Sequence, residues 1–142
     1  MPSYIIEAER ASLPKVNSVM ILVANEVWSA DLEQHHAELQ TSGATIQVVG
    51  NRIDHIYDSK GRSVKVDTYV GKLKDTDLPD VVVFPNGQNC VLALLIDPRV
   101  HRLVEQVIAA DGHVRTTPIA EFLMRRVGLL NAQNHDHFIT MM

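Results

Sequence analysis

The single cysteine of this 142-residue chain, Cys90, is its strongest candidate for nucleophilic chemistry. A cysteine attacks as the thiolate, so it needs a pKa lowered by a helix N-terminus, a histidine or another cation. No neighbour of Cys90 in the sequence supplies an activating base. The alternative is a buried, small apolar side chain, as free cysteines often are. The sequence leaves both interpretations open.

Two other segments carry oxygen nucleophiles or acids. Glu26 follows an apolar run and is either a general acid or base in a pocket or a surface carboxylate. Thr116 and Thr117 precede Pro118, so each hydroxyl is either a nucleophile or, as is common before a helix, an N-cap.

The segment His135-Asp136-His137 offers two imidazoles and a carboxylate. Zinc sites in proteins use at least three protein ligands, and neither HExxH nor CxxC accompanies this segment. We expect a polar loop entering a strand and predict no metal site. Neither a Walker A loop nor GxGxxG is present, so we predict no cofactor.

Composition excludes several partner classes. The formal net charge is −4 and no basic run is present, which argues against a nucleic-acid partner. The longest apolar runs, such as residues 91–96, are too short to cross a bilayer, and the first residues lack a signal-peptide apolar core. One cysteine permits no intrachain disulfide. We therefore expect a soluble, cytoplasmic protein of one domain spanning residues 1–142.

Apolar runs alternate with amphipathic segments along the chain. Five strands are predicted, at residues 19–24, 45–49, 80–84, 113–116 and 137–140. The first is apolar throughout, as in a parallel sheet covered on both faces. Helices are predicted after Ser29, Asp97 and Thr117, with glycines at their ends, and residues 53–70 form a small hairpin excursion. The pattern predicts an α/β fold with a doubly wound, mostly parallel sheet.

Open α/β sheets bind ligands beyond the carboxyl ends of their strands. That rule selects three loops as the predicted pocket, built from the following residues: Asn25, Glu26, Trp28, Asn86, Gly87, Gln88, Cys90, Thr116 and Thr117.

Four segments resemble, in order, motifs of the ThiJ/PfpI (class I glutamine-amidotransferase-like) superfamily. Residues 23–26 (VANE) look like the opening of PfpI-type proteins, and residues 59–67 (SKGRSVKVD) resemble their G-x-x-V-x-V-D excursion. Residues 78–87 (LPDVVVFPNG) resemble D-A-L-V-L-P-G-G, and residues 121–130 resemble the helix ending in A-G-L-L. The resemblance runs from about Val19 to Leu130 and implies a flavodoxin-like fold, with residues 1–16 as an N-terminal extension.

The resemblance also implies where catalytic groups should stand. The superfamily carries a nucleophilic cysteine on a tight strand-to-helix elbow, which falls here at Pro118, or at Thr117 or Thr116 if the loop is shorter, and none of these is cysteine. Its acidic partner position holds Trp28 by direct spacing, with Glu26 as the substitute if the loop is reshaped.

In the loop that resembles the superfamily's oxyanion loop, Asn86 replaces the first glycine and Gly87 is retained. We therefore expect a divergent, non-catalytic domain that binds a small ligand or acts in assembly or regulation. The alternative is a protease-, deglycase- or glyoxalase-like enzyme that uses Cys90 or Glu26 on a small carbonyl or amide substrate. Relatives commonly dimerise, so the resemblance implies a homodimer.

Overall fold

The structure is a computed structural model and describes residues 18–140, so the predicted extension at residues 1–16 lies outside the described residues. The strands are β1 (Ser18–Val23), β2 (Thr45–Gly50), β3 (Ile56–Tyr57), β4 (Ser63–Val64), β5 (Thr68–Tyr69), β6 (Val81–Val83), β7 (His113–Thr116) and β8 (Phe138–Thr140). The helices are α1 (Ser29–Thr41), α2 (Gln88–Leu95), α3 (Pro98–Ala109) and α4 (Pro118–Arg126), and short 3₁₀ turns cover Val70–Lys72 and His135–His137.

Six of the strands form one parallel sheet in the order β5-β2-β1-β6-β7-β8. Without the short edge strand β5, this is the flavodoxin-like order, in which chain order reverses between β1 and β6. The predicted α/β fold with a doubly wound parallel sheet is confirmed. Ligands of such folds bind at this reversal, beyond the carboxyl ends of the strands.

The core follows from the apolar strands. Every residue of β1 after Ser18 is buried, as are all three valines of β6, because helices cover both faces of the central sheet. Helix α3 begins as predicted at Asp97, whose side chain accepts a hydrogen bond from the Arg99 amide at 2.9 Å. Its valines and leucine at helical spacing are buried against β6 and β7.

The predicted hairpin is present as β3 and β4, which pair antiparallel. Its turn is organised by Asp58, whose carboxylate accepts from the backbone amides of Lys60 and Arg62 at 2.9 and 3.0 Å. The same contacts hold the pKa of Asp58 below its usual value of 3.8, the Arg62 amide contributing most.

Three local features differ from the predictions. Residues 68–69 of the excursion form β5 and extend the main sheet beside β2. Ser29 is the first residue of α1, and Trp28 occupies the N-cap without a side-chain hydrogen bond. Helix α2 is not predicted by the sequence pattern, because its apolar residues are contiguous and show no helical period. Between residues 18 and 140, no helix has the length and apolar character needed to cross a bilayer.

Candidate functional site

The loops after β1 and β6 meet at the reversal of strand order. The Trp28 amide donates to the Asn86 carbonyl oxygen at 3.0 Å, and the Asn89 side-chain amide donates to the Glu26 carboxylate at 3.1 Å. Gly87 has φ +126°, and a β-carbon there would lie 2.8 Å from the Glu26 carbonyl oxygen. The close approach of the two loops therefore requires glycine at this position.

The predicted residues of the first loop are on its outer side. Glu26 is exposed and has a left-handed backbone (φ +71°), and Trp28 is 53% exposed. Asn25 is exposed and accepts a hydrogen bond from the Tyr57 amide at 3.0 Å, which ties the loop to β3. Gln88 is likewise exposed at the start of α2.

Cys90 lies on the inner face of α2 and is 0% exposed. Burial removes the solvation that a thiolate needs and raises the pKa of this thiol from 9.0 to about 12, although a hydrogen bond with the Ala24 backbone partly opposes the shift. Use of Cys90 as a nucleophile therefore requires the ionisation of a thiol enclosed in the core.

A small cavity of about 150 Å³ opens beside these loops, at the carboxyl ends of β6 and β7 and against α1. Its lining combines two predicted pocket residues, Asn86 and Thr117, with five residues that the sequence analysis did not select: Asp31, Gln34, His35, Glu38 and Arg115. This cavity concentrates charged and polar side chains at the edge where α/β folds bind ligands.

Asp31 and His35 form the inner wall of the cavity. They are one helical turn apart on α1, and Asp31 Oδ2 lies 3.1 Å from His35 Nε2 and accepts the Asn86 amide at 2.7 Å. A carboxylate beside Nε2 assigns the proton of a neutral imidazole to that nitrogen. Nδ1 is then a bare acceptor. It is buried without a hydrogen-bond partner in the described part of the chain, on a residue that is 5% exposed.

Thr117 lies on the strand-to-helix elbow, between the end of β7 and the start of α4. It occupies the N-cap, yet its side chain makes no capping hydrogen bond. Its hydroxyl is buried and has no partner among residues 18–140. The preceding Thr116 differs, because its hydroxyl lies 3.4 Å from the Thr140 hydroxyl.

Arg115 brings a cation to the cavity from β7. Its carbonyl oxygen accepts the Phe84 amide within the sheet, and the side chain is half-buried. Across residues 18–140 its guanidinium makes neither a hydrogen bond nor an ion pair, whereas Arg62, Arg99, Arg102 and Arg125 each pair with a carboxylate. The cavity therefore holds an uncommitted positive charge.

A larger groove, of about 520 Å³, lies on the other side of α1, against β2 and the β3–β4 hairpin. Two of its carboxylates are already engaged: Asp58 holds the hairpin turn, and Asp67 accepts the Val48 amide at 2.8 Å. The groove is the larger space, but the small cavity lies at the strand ends and its lining residues His35 and Thr117 carry buried polar atoms without a partner among the described residues.

The histidine-rich segment lies away from both spaces. His135 and Asp136 are exposed and 3.3 Å apart in a 3₁₀ turn, and His137 Nδ1 is bonded to the Gly112 carbonyl oxygen. Within the described residues, no three histidine, cysteine, aspartate or glutamate side chains are grouped so that they could hold a metal ion.

Three solved structures are similar to this chain in fold. Oxidised DJ-1 of Toxoplasma gondii matches with a TM-score of 0.75 at 16% identity over 82% of this chain and 64% of its own. A DJ-1 superfamily protein of Salmonella typhimurium, solved as a cysteine-to-alanine mutant, matches with a TM-score of 0.75 at 16% identity over 88% of this chain and 74% of its own. DJ-1beta of Drosophila melanogaster matches with a TM-score of 0.72 at 18% identity over 88% of this chain and 73% of its own.

This chain thus spans less than two thirds of the length of the Toxoplasma protein and about three quarters of the other two. No curated protein sequence matches it. The sequence model of the DJ-1/PfpI family, in contrast, matches residues 17–141, nearly the whole sequence and all of the sheet. The chain belongs to the DJ-1/PfpI family.

Proposed function

We propose that this chain is a divergent, non-catalytic DJ-1/PfpI protein that binds a small polar ligand in the 150 Å³ cavity between α1 and the β7–α4 elbow. One observation carries the proposal: His35 Nδ1 and Thr117 Oγ1, both buried and both without a partner among the described residues, belong to side chains that line the same cavity. A buried polar atom left unsatisfied costs about 1–3 kcal/mol, so two such atoms on residues that line one cavity favour an occupant.

The occupant is either ordered water or a small solute. A water molecule occupies roughly 30 Å³ in the liquid, so the cavity has room for a few waters or for one molecule of similar total size. Within residues 18–140 no carboxylate pairs with the guanidinium of Arg115, which favours a solute that can accept its hydrogen bonds over water alone.

The alternative function is hydrolysis or lysis of a small carbonyl or amide compound through Cys90 or Glu26. Cys90 is enclosed, with a pKa near 12, and Glu26 sits on the exposed side of its loop, so neither side chain lines the cavity. The buried thiol suits the reducing cytoplasm that the sequence predicts.

The predicted homodimer stays a proposal. Its support is the number of large apolar side chains that are more than a third exposed: Trp28, Ile53, Tyr57, Leu92, Ile96, Phe122, Val127 and Ile139. Size-exclusion chromatography with light scattering tests it, and a stable monomer at micromolar concentration would contradict it.

Binding is tested by amide NMR titration with five probes: formate, acetate, sulfate, acetamide and glycerol. We expect at least one probe to shift the amides of His35, Asn86 and Thr117 saturably at millimolar concentration, and Thr117→Val to weaken that binding. Thr116→Val is the matched control, since its hydroxyl already has a partner. Absence of any cavity response to all five probes would refute the proposal. Esterase or amidase activity lost in Cys90→Ala or Glu26→Gln would instead support the alternative.

A further inference from the structure

We infer that the ligand of this cavity is a small oxyanion held between Arg115 and His35, and that His35 takes up one proton as the anion binds. The inference rests on the proposed ligand-binding function and names its ligand class. It draws on the cavity lining, the uncommitted guanidinium and the hydrogen bonds that orient His35.

Arg115 supplies the attraction for an anion. Arg115 lines the cavity, and no carboxylate in residues 18–140 pairs with its guanidinium. A planar guanidinium presents a fork of donors that matches two oxygens of a carboxylate or another oxyanion. Half-burial strengthens this charge-assisted contact, because less water competes for the same donors.

His35 decides the protonation state of the complex. With Nε2 donating to Asp31, the neutral ring presents the lone pair of Nδ1, which repels an oxyanion. Protonation of Nδ1 converts that acceptor into a donor, and the Asp31 carboxylate at 3.1 Å stabilises the resulting imidazolium. An anion in the cavity therefore favours uptake of one proton from solvent.

The charges that line the cavity sum to zero when His35 is protonated. On its own helix these are Asp31, paired with His35, and Glu38, which is exposed and accepts from Gln34 at 3.1 Å. From β7 comes Arg115, and the remaining lining groups are uncharged. With His35 protonated, the cavity is lined by two cations and two carboxylates, so bound acetate leaves a net charge of −1 and bound sulfate leaves −2.

Thr117 completes the set of donors. Its buried hydroxyl has no acceptor in the described residues and belongs to a residue that lines the same cavity, so it can serve as a further donor to the bound anion. A volume of about 150 Å³ suits formate, acetate or sulfate.

The test measures the pH dependence of anion binding by NMR on the full chain. Acetate and sulfate are titrated between pH 5.5 and 8 at constant chloride, while long-range ¹H–¹⁵N spectra report the protonation of His35. We expect His35 to become protonated as the anion saturates the cavity. Where His35 is neutral in the ligand-free protein, the apparent Kd should rise by up to about tenfold per pH unit. Acetate tighter than sulfate identifies a carboxylate, and the reverse order identifies a tetrahedral oxyanion.

Variants separate the contributions of the two side chains. His35→Gln keeps an amide donor toward Asp31 and removes the titrating ring, so we expect weak binding that is independent of pH. Arg115→Gln should weaken anion binding at least tenfold, and Arg115→Lys should retain part of the affinity. Arg102→Gln is the control and should have no effect, because Arg102 pairs with Asp75 outside the cavity.

Four results would overturn the inference. Anion binding without protonation of His35, or anion binding that Arg115→Gln leaves unchanged, refutes it. If acetamide or glycerol binds in the cavity and neither anion does, the oxyanion inference fails while the proposed ligand-binding function stands. If no probe binds, both fail.

Discussion

Replacement of Thr117 by valine should stabilise the ligand-free protein. Valine has nearly the same shape as threonine and differs by a methyl group in place of the hydroxyl. The hydroxyl of Thr117 is buried, caps no backbone amide and has no partner within residues 18–140. The backbone at this position, with φ −101° and ψ 166°, is extended and suits a β-branched residue.

The magnitude follows from the desolvation of the hydroxyl. Burying a polar group without a hydrogen bond costs about 1–3 kcal/mol, and removal of that group from both states recovers part of the cost. Water in the cavity reduces the penalty, so we expect a gain of about 1 kcal/mol in the free energy of unfolding. For a chain of this size, the midpoint temperature should then rise by about 4 °C.

Thr116→Val provides a matched control one residue earlier. Thr116 is also fully buried, but its hydroxyl lies 3.4 Å from that of Thr140, which in turn bonds to the Glu121 carboxylate. Loss of a hydrogen bond that is made should cost about 0.5–1.5 kcal/mol. The two adjacent substitutions, identical in chemistry, should therefore have opposite signs.

Urea denaturation followed by circular dichroism measures both variants, with the slope against denaturant checked for constancy. If Thr117→Val instead lowers the free energy of unfolding by more than about 1 kcal/mol, the hydroxyl has a good hydrogen-bond partner and is not an unoccupied hydrogen-bonding site. Higher stability combined with weaker probe binding is the pattern of a group retained for function at a cost in stability.

Two further predictions concern titrating groups. A pKa raised from 9.0 to about 12 lowers the thiolate fraction of Cys90 about a thousandfold. Iodoacetamide should therefore alkylate the native protein far more slowly than the urea-unfolded chain. A native alkylation rate within tenfold of the unfolded rate would contradict the burial of Cys90. The pKa of Asp58 lies below 3.8, so its contribution to stability is complete above that pH and is lost as pH falls through the folded pKa. Asp58→Asn should therefore flatten the decline of the urea midpoint between pH 6 and pH 3, and an unchanged decline would count against the hairpin-turn role.

Local signals were sufficient for most of the sheet and helices. Residues 19–24 are apolar without interruption, which is the signature of a strand covered on both faces. The start of α3 is encoded by two adjacent residues, an aspartate cap and Pro98, and the structure contains the cap bond they imply. Such elements are predictable because the residues that define them are neighbours in the chain.

Other elements depend on distant partners. The two residues of β5 become a strand because they pair with Val49 and Gly50 of β2, not because of their own composition. Helix α2 places Cys90 inside and Leu92 outside, a division that a contiguous apolar run does not reveal.

The candidate site shows the same division. The rule that ligands bind at the ends of parallel strands selected Asn86 and Thr117, which do line the cavity, but not Asp31, His35 or Arg115. The spacing of Asp31 and His35, one helical turn, was visible as a possible pair. What that pair faces was not, because the Asn86 amide that orients Asp31 is 55 positions away.

The sequence by itself determined the strand and helix pattern, the family resemblance and the absence of cysteine from the strand-to-helix elbow, since each is written in adjacent residues. Only the tertiary structure decided that Cys90 is enclosed, that Arg115 has no counterion in the described chain, and that two residues with buried, unpaired polar atoms line one cavity. Burial and hydrogen-bond pairing depend on segments brought together by folding, and no local pattern specifies them.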